Sequence, residues 1–127
     1  MRKLRVLIVD DSPAFLGAAR DFLANLPGVE CVECANSGAE ALSKTAESCP
    51  DLVLMDIAMP GMNGLETMRV LSNRLPALRM YAITLHDVAE YRAAALESGA
   101  VDLIAKHQFA TVLSDLIEQL AHSHPVT

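Results

Sequence analysis

Asp51-Leu52-Val53-Leu54-Met55-Asp56 is the stretch on which the fold turns: four large apolar residues in a row, bounded by carboxylates, with no polar residue between them. A strand with one wet face alternates apolar and polar side chains. One that is apolar on both faces belongs in the interior of a parallel sheet covered on both sides. Working outward, comparable runs recur at residues 4–10, 29–35, 78–84 and 101–105. Helical patterns lie between and after them, at 13–25 (closed by Pro27-Gly28), 38–48 (before Pro50), 64–74 (before Pro76), 87–98 (closed by Gly99) and 109–122. Five strand–helix units in succession predict an α/β fold, a doubly wound five-stranded parallel sheet flanked by five helices with right-handed crossovers.

The chain's 127 residues match one domain, read here as residues 1–122 followed by a C-terminal tail at 123–127. Hydrophobic residues make up 52% and charged residues 20%, with a mean hydropathy of +0.29, which is too apolar for a disordered protein. Sixteen acidic against ten basic side chains leave a net charge of -6, and three of those bases, Arg2, Lys3 and Arg5, crowd the first five residues. Without a basic stripe, direct nucleic-acid binding is not expected. Aromatics at 4% and the absence of Trp argue against a base-stacking platform. The apolar run Val6-Leu7-Ile8-Val9 stops at Asp10-Asp11, too short for a signal peptide or a membrane span, so no membrane partner is expected. With three cysteines and no secretion signal, a cytoplasmic, reduced protein is expected. Cys31 and Cys34 have a Cys-x-x-Cys spacing, but on a strand an offset of three sends the two thiols to opposite faces.

In a doubly wound sheet, ligands gather at the carboxyl ends of the strands. Those ends here are Asp10-Asp11, Asp56, Thr84 and Lys106. Each has an ordinary structural reading: Asp10-Asp11 before Ser12-Pro13 resembles a helix start, Asp56 a turn residue, Thr84 a β-branched strand residue and Lys106 a solvated strand end. Their joint occurrence at four strand ends is what points to a site. Clustered carboxylates need a cation, and an all-oxygen set suits Mg²⁺ better than zinc. A carboxylate beside Mg²⁺ can attack phosphorus to form an acyl phosphate, with Lys106 and the Thr84 hydroxyl available to its oxygens.

At these residues the sequence resembles a known family. Val9-Asp10-Asp11-Ser12, the run from Leu54-Met55-Asp56 through Met59-Pro60-Gly61-Met62 to Asn63-Gly64-Leu65-Glu66, Ile83-Thr84 and Ala105-Lys106 are similar to the receiver domain of two-component response regulators. That resemblance implies the flavodoxin-like, CheY-like form of the α/β fold. It implies that Asp56 is the phosphoacceptor and that Asp11 and Asp56 bind Mg²⁺ directly. The Ala58 carbonyl would be a third protein ligand, with Asp10 acting through a metal-bound water. Thr84 would be the switch hydroxyl and Lys106 the ammonium that pairs with the phosphoryl group. The implied partner is a sensor histidine kinase or a histidine phosphotransfer protein. The product is a regulatory state, so no released-product enzyme activity is expected.

Several positions depart from the commonest family pattern. His107 follows Lys106 where most receivers have Pro, which puts the cis peptide usual there in question, since a non-proline cis bond costs about 3 kcal/mol. Leu103 stands where an aromatic switch residue is frequent, and neither Tyr91 nor His86 is assumed to replace it. Leu85 follows Thr84 where Ala is common and is expected to narrow access to Asp56. The run Thr84-Leu85-His86-Asp87 and the non-proline after the lysine resemble the NarL/FixJ-like group, which implies regulation of transcription. Val112, Leu113, Leu116, Ile117 and Leu120 form an apolar stripe on the last helix whose default role is core packing, with a homodimer contact as a second one. Two other classes explain less. A Mg²⁺-dependent aspartyl phosphohydrolase wants its two aspartates two residues apart, whereas Asp10 and Asp11 are adjacent. A pseudo-receiver interaction module would not need the whole set of Asp10, Asp11, Asp56, Thr84 and Lys106.

Overall fold

The computed structural model describes residues 2–58, 63–85 and 89–122. Five strands, β1 (Leu4–Val9), β2 (Val29–Ala35), β3 (Leu52–Asp56), β4 (Arg79–Thr84) and β5 (Asp102–Ala105), alternate with α1 (Pro13–Ala24), α2 (Gly38–Ser48), α3 (Gly64–Arg74), α4 (Ala89–Glu97) and α5 (Phe109–Ala121). A 3-10 turn, Lys106–Gln108, joins β5 to α5. All strand pairs are parallel, in the order β2-β1-β3-β4-β5. This is the predicted doubly wound five-stranded sheet with five helices. The strand order reverses between β1 and β3, so those two strands open a crevice at their carboxyl ends.

Strand periodicity divides the core into two layers. Leu7, Val9, Val53, Met55, Met80, Ala82 and Leu103 face α2, α3 and α4, where Ala41, Met68, Leu71 and Ala95 meet them. Val6, Ile8, Leu52, Leu54, Ile83 and Ile104 face α1 and α5, against Ala19, Leu23, Phe109, Leu113, Ile117 and Leu120. Leu113, Ile117 and Leu120 of the stripe on α5 are thus buried in the core, with Val112 and Leu116 packed at its margin. β2 is an edge strand and only half-buried, which accounts for Glu30 and Glu33 interrupting its apolar run. Its Cys34 lies with the α1/α5 layer, and both Cys31 and Cys34 are free thiols. Burial raises the pKa of the Cys34 thiol.

The boundaries differ from expectation by one or two residues. Asp51 leads into β3 through its side chain, which accepts the Arg5 N–H at 2.8 Å and pairs with Arg2. Half-exposed Val101 precedes β5. The expected start of the fourth helix at residue 87, the Met59-Pro60-Gly61-Met62 run, His86 and the tail at 123–127 lie outside the described residues. Among the described residues no peptide bond is cis, Lys106–His107 included, and no helix is long and apolar enough to cross a membrane.

Candidate functional site

The carboxyl ends of β1, β3, β4 and β5 open into one cleft of about 800 Å³. Asp10, Asp11, Asp56, Ala58, Thr84 and Lys106 all line it, so every residue singled out at a strand end reaches the same place. The ordinary reading of the first motif is correct for Ser12 alone: it caps α1, its Oγ accepting the Phe15 N–H at 3.3 Å, with Pro13 in the first turn. Asp10 instead turns inward, is fully buried and accepts the Ser12 N–H on Oδ1 at 2.9 Å. Asp11 stays exposed at the mouth.

Asp56 ends β3 and is buried. Its Oδ1 accepts the Ala58 N–H at 3.0 Å. Its position depends on α3 starting close behind it. Asn63 caps that helix by accepting the Glu66 N–H at 3.0 Å, and Gly64 then lies so near that a Cβ would stand 2.0 Å from the Asp56 carbonyl oxygen. The Asn63-Gly64-Leu65-Glu66 part of the motif therefore serves to bring a helix start against the phosphoacceptor candidate.

Electrostatically the cleft is acidic. Asp10, Asp11 and Asp56 each offer a carboxylate oxygen, and the three lie within 4.8 Å of one another. Lys106 Nζ is 2.6 Å from Asp10 Oδ2 and 3.6 Å from Asp56 Oδ2. Burial raises the pKa of Asp56 from its ordinary value; the Ala58 N–H opposes this, the charge of Asp10 adds to it, and Lys106 opposes it. Asp10 Oδ2 is buried and accepts no well-directed hydrogen bond, the Lys106 contact being close but poorly aligned. Three clustered carboxylates, one of which has a buried oxygen with no well-directed hydrogen bond, beside the Lys106 ammonium are a donor set that fits a hard divalent cation such as Mg²⁺.

Thr84, buried at the end of β4, lines the same cleft, as do Phe15, Leu65, Leu85 and Tyr91. Leu85 is 69% exposed and contributes to the lining of the cleft. Leu103 is buried in the layer facing α4. Phe15 is the residue that strand-end logic passes over, because it comes from the first turn of a helix. Its ring centroid is 4.6 Å from Lys106 Nζ. The available signal was its place three residues after a Ser cap, which sets its backbone beside the Asp10-Asp11 strand end.

Comparison with known proteins follows the same lines. The model of the response regulator receiver domain family matches residues 6–118. A protein-glutamate methylesterase/protein-glutamine glutaminase of Geobacillus kaustophilus is 41% identical over 107 residues, covering 84% of this chain and 31% of that protein. The response regulator GacA of Pseudomonas viridiflava is 37% identical over 103 residues, 81% of this chain and 48% of that protein. The chain thus spans about a third of the length of the methylesterase relatives and about half that of GacA. Among solved structures, the response regulator domain of Thermotoga maritima CheB superposes with a TM-score of 0.84 at 31% identity, covering 98% of this chain and 100% of that one. The receiver domain of a putative response regulator NarL from Mycobacterium tuberculosis gives 0.86 at 28% identity, with the same coverage. By family model, relatives and fold together, this chain belongs to the response regulator receiver domains.

Proposed function

We propose that the chain is a phosphorylatable switch of a two-component system, taking a phosphoryl group onto Asp56 from a histidine kinase or histidine phosphotransfer partner. The observation that carries this reading is the convergence of Asp10, Asp11 and Asp56 within 4.8 Å beside Lys106. An Asp56 oxygen attacks the donor's phosphorus, the phosphorus–nitrogen bond breaks, and the departing imidazole takes its proton from solvent. Asp11, Asp56 and the Ala58 carbonyl would hold Mg²⁺, and Asp10 would act on it indirectly, through water. When bound, Mg²⁺ neutralises the carboxylates and the phosphoryl oxygens. The Ala58 N–H and Lys106 favour the ionised, nucleophilic form of Asp56. Once the acyl phosphate exists, Lys106 pairs with its oxygens and Thr84 donates its hydroxyl. Incubation with Mg²⁺ and acetyl phosphate is expected to add one phosphoryl mass to the wild type and none to Asp56→Asn. Undiminished labelling of Asp56→Asn removes Asp56 from the role, and an unlabelled wild type favours a pseudo-receiver.

For the output, control of transcription is the reading supported by the resemblance of Thr84-Leu85-His86-Asp87 and of the non-proline His107 to the NarL/FixJ-like group. Control of a methylesterase is a second reading, favoured by the relatives of that kind. Measuring which output module a phosphorylated chain activates when fused to each in turn separates the two.

A further inference from the structure

The contacts around Lys106 close into a ring. Asp10 Oδ1 accepts the Ser12 N–H at 2.9 Å, and Ser12 Oγ accepts the Phe15 N–H at 3.3 Å. The Phe15 ring centroid then lies 4.6 Å from Lys106 Nζ, which returns to Asp10 Oδ2 at 2.6 Å. Two features of this ring need an account. The Lys106–Asp10 contact is poorly directed for a hydrogen bond, and Asp56 Oδ2 is further off at 3.6 Å, so these ion pairs attract the ammonium without fixing the direction of its donors. Second, the side chain of Lys106 is only 12% exposed, so water is largely unavailable to its three donors. The missing neighbour is the Phe15 ring, whose π-face attracts a cation while offering no lone pair or formal charge.

We infer that Phe15 is a positioning residue for Lys106: its ring seats the ammonium at the cleft while the ammonium exchanges the Asp10 carboxylate for phosphoryl oxygens. A carboxylate seat would compete with the phosphoryl group for the same donors; a ring does not. The seat is itself fixed from both sides. The Ser12 cap holds its backbone on the first turn of α1, and Phe109 meets its ring edge-on, with centroids 5.4 Å apart and planes at 78°. Phe109 is the first residue of α5, and its N–H donates to the Lys106 carbonyl. The turn that carries Lys106 therefore ends on the residue that braces its seat. Phe22 of α1 also meets Phe109 edge-on, at 6.3 Å between centroids.

The kinetic arm of the test rests on the phosphorylation reading; the spectroscopic arm does not. Site-specific replacement of Phe15 by increasingly fluorinated phenylalanines keeps the ring's shape while removing the negative face. The rate of Asp56 labelling by acetyl phosphate is expected to fall stepwise, by about threefold to tenfold over the series, with little change in Tm. Phe15→Leu should show the same loss, and Phe15→Trp should restore the rate. In metal-free wild type, the Lys106 Hε protons should carry an upfield ring-current shift that Phe15→Leu removes. A labelling rate indifferent to fluorination overturns the inference, as does a Lys106 Hε shift that is the same in wild type and Phe15→Leu. If the wild type takes no phosphoryl group, the phosphorylation reading fails, and the ring-current result alone decides whether Phe15 seats Lys106.

Discussion

At the scale of single residues, the cleft holds two buried carboxylates to one ammonium, and the consequences can be signed. Because burial raises the pKa of Asp56 in the folded protein, the folded state binds that proton more tightly than the unfolded chain does. Stability then falls as pH rises from the ordinary carboxylate range through the raised value, and the whole penalty is present above it. Asp56→Asn removes the penalty. Without metal the variant should melt above wild type at neutral pH, and the gain should vanish as pH drops below the usual aspartate pKa. A gain that grows on acidification would contradict the sign. Lys106 works in the other direction. It is the nearby cation of fully buried Asp10, and Lys106→Met leaves that charge uncompensated, which should cost about 3 kcal/mol. Adding Asp10→Asn should recover most of the loss, and denaturant titration of the two single variants and the double variant measures this coupling. Strictly additive effects would mean that the pair does not interact.

At the scale of elements, the site depends on how closely α3 approaches β3. In Gly64→Ala the new Cβ would meet the Asp56 carbonyl at 2.0 Å, a backbone atom that cannot swing aside as a side-chain end would. The variant should lose about 1–3 kcal/mol. Displacement of Asp56 should also slow its labelling by on the order of tenfold to a hundredfold; a variant that labels at the wild-type rate would show that this approach is not needed. Gly99, at φ 108 between α4 and β5, meets a different demand, that of a backbone conformation L side chains rarely adopt. On the output side, Thr84 ends β4 and lines the cleft. Thr84→Val should leave Asp56 labelling largely intact while removing the phosphorylation-dependent change in amide exchange at residues 101–107. The same response in both proteins would place the switch elsewhere. The elements themselves were legible in the sequence where a single force set them. β3 is apolar on both faces because both are covered, and α1 starts at Ser12-Pro13 because a cap and a missing N–H suit the first turn. The edge strand β2 was less so, since Glu30 and Glu33 obey solvent on one side while Cys34 obeys the core on the other. Phe15 was not legible at all as a site residue, because its role arises only when α1 and the Lys106 turn meet in space.

At the scale of the whole molecule, the strand order explains why residues far apart in sequence were readable as one site: a parallel sheet sends every carboxyl end to the same edge, so Asp10, Asp56, Thr84 and Lys106 had to converge. The output could not be read in this way, because it depends on chemistry the receiver presents to other modules. The same convergence couples the fold to its cation. Any ligand that binds only the folded state stabilises it by RT ln(1 + [L]/Kd), about 1.4 kcal/mol at ten times Kd. For a domain of this size that is a rise in Tm of roughly 3–6 °C. Mg²⁺ should therefore raise the Tm of the wild type saturably, and chelation should reverse it. Asp11→Ala tests the ligand assignment through a reversal of order. Asp11 is exposed and lies within 4.8 Å of the buried carboxylates. Its removal relieves repulsion, so the metal-free variant should be at least as stable as wild type. In Mg²⁺ the variant lacks a ligand and should fall below wild type, so the two melting curves exchange places as the cation is added. An equal rise in both proteins would mean that Asp11 is not a ligand and that the cation is held by the buried pair alone.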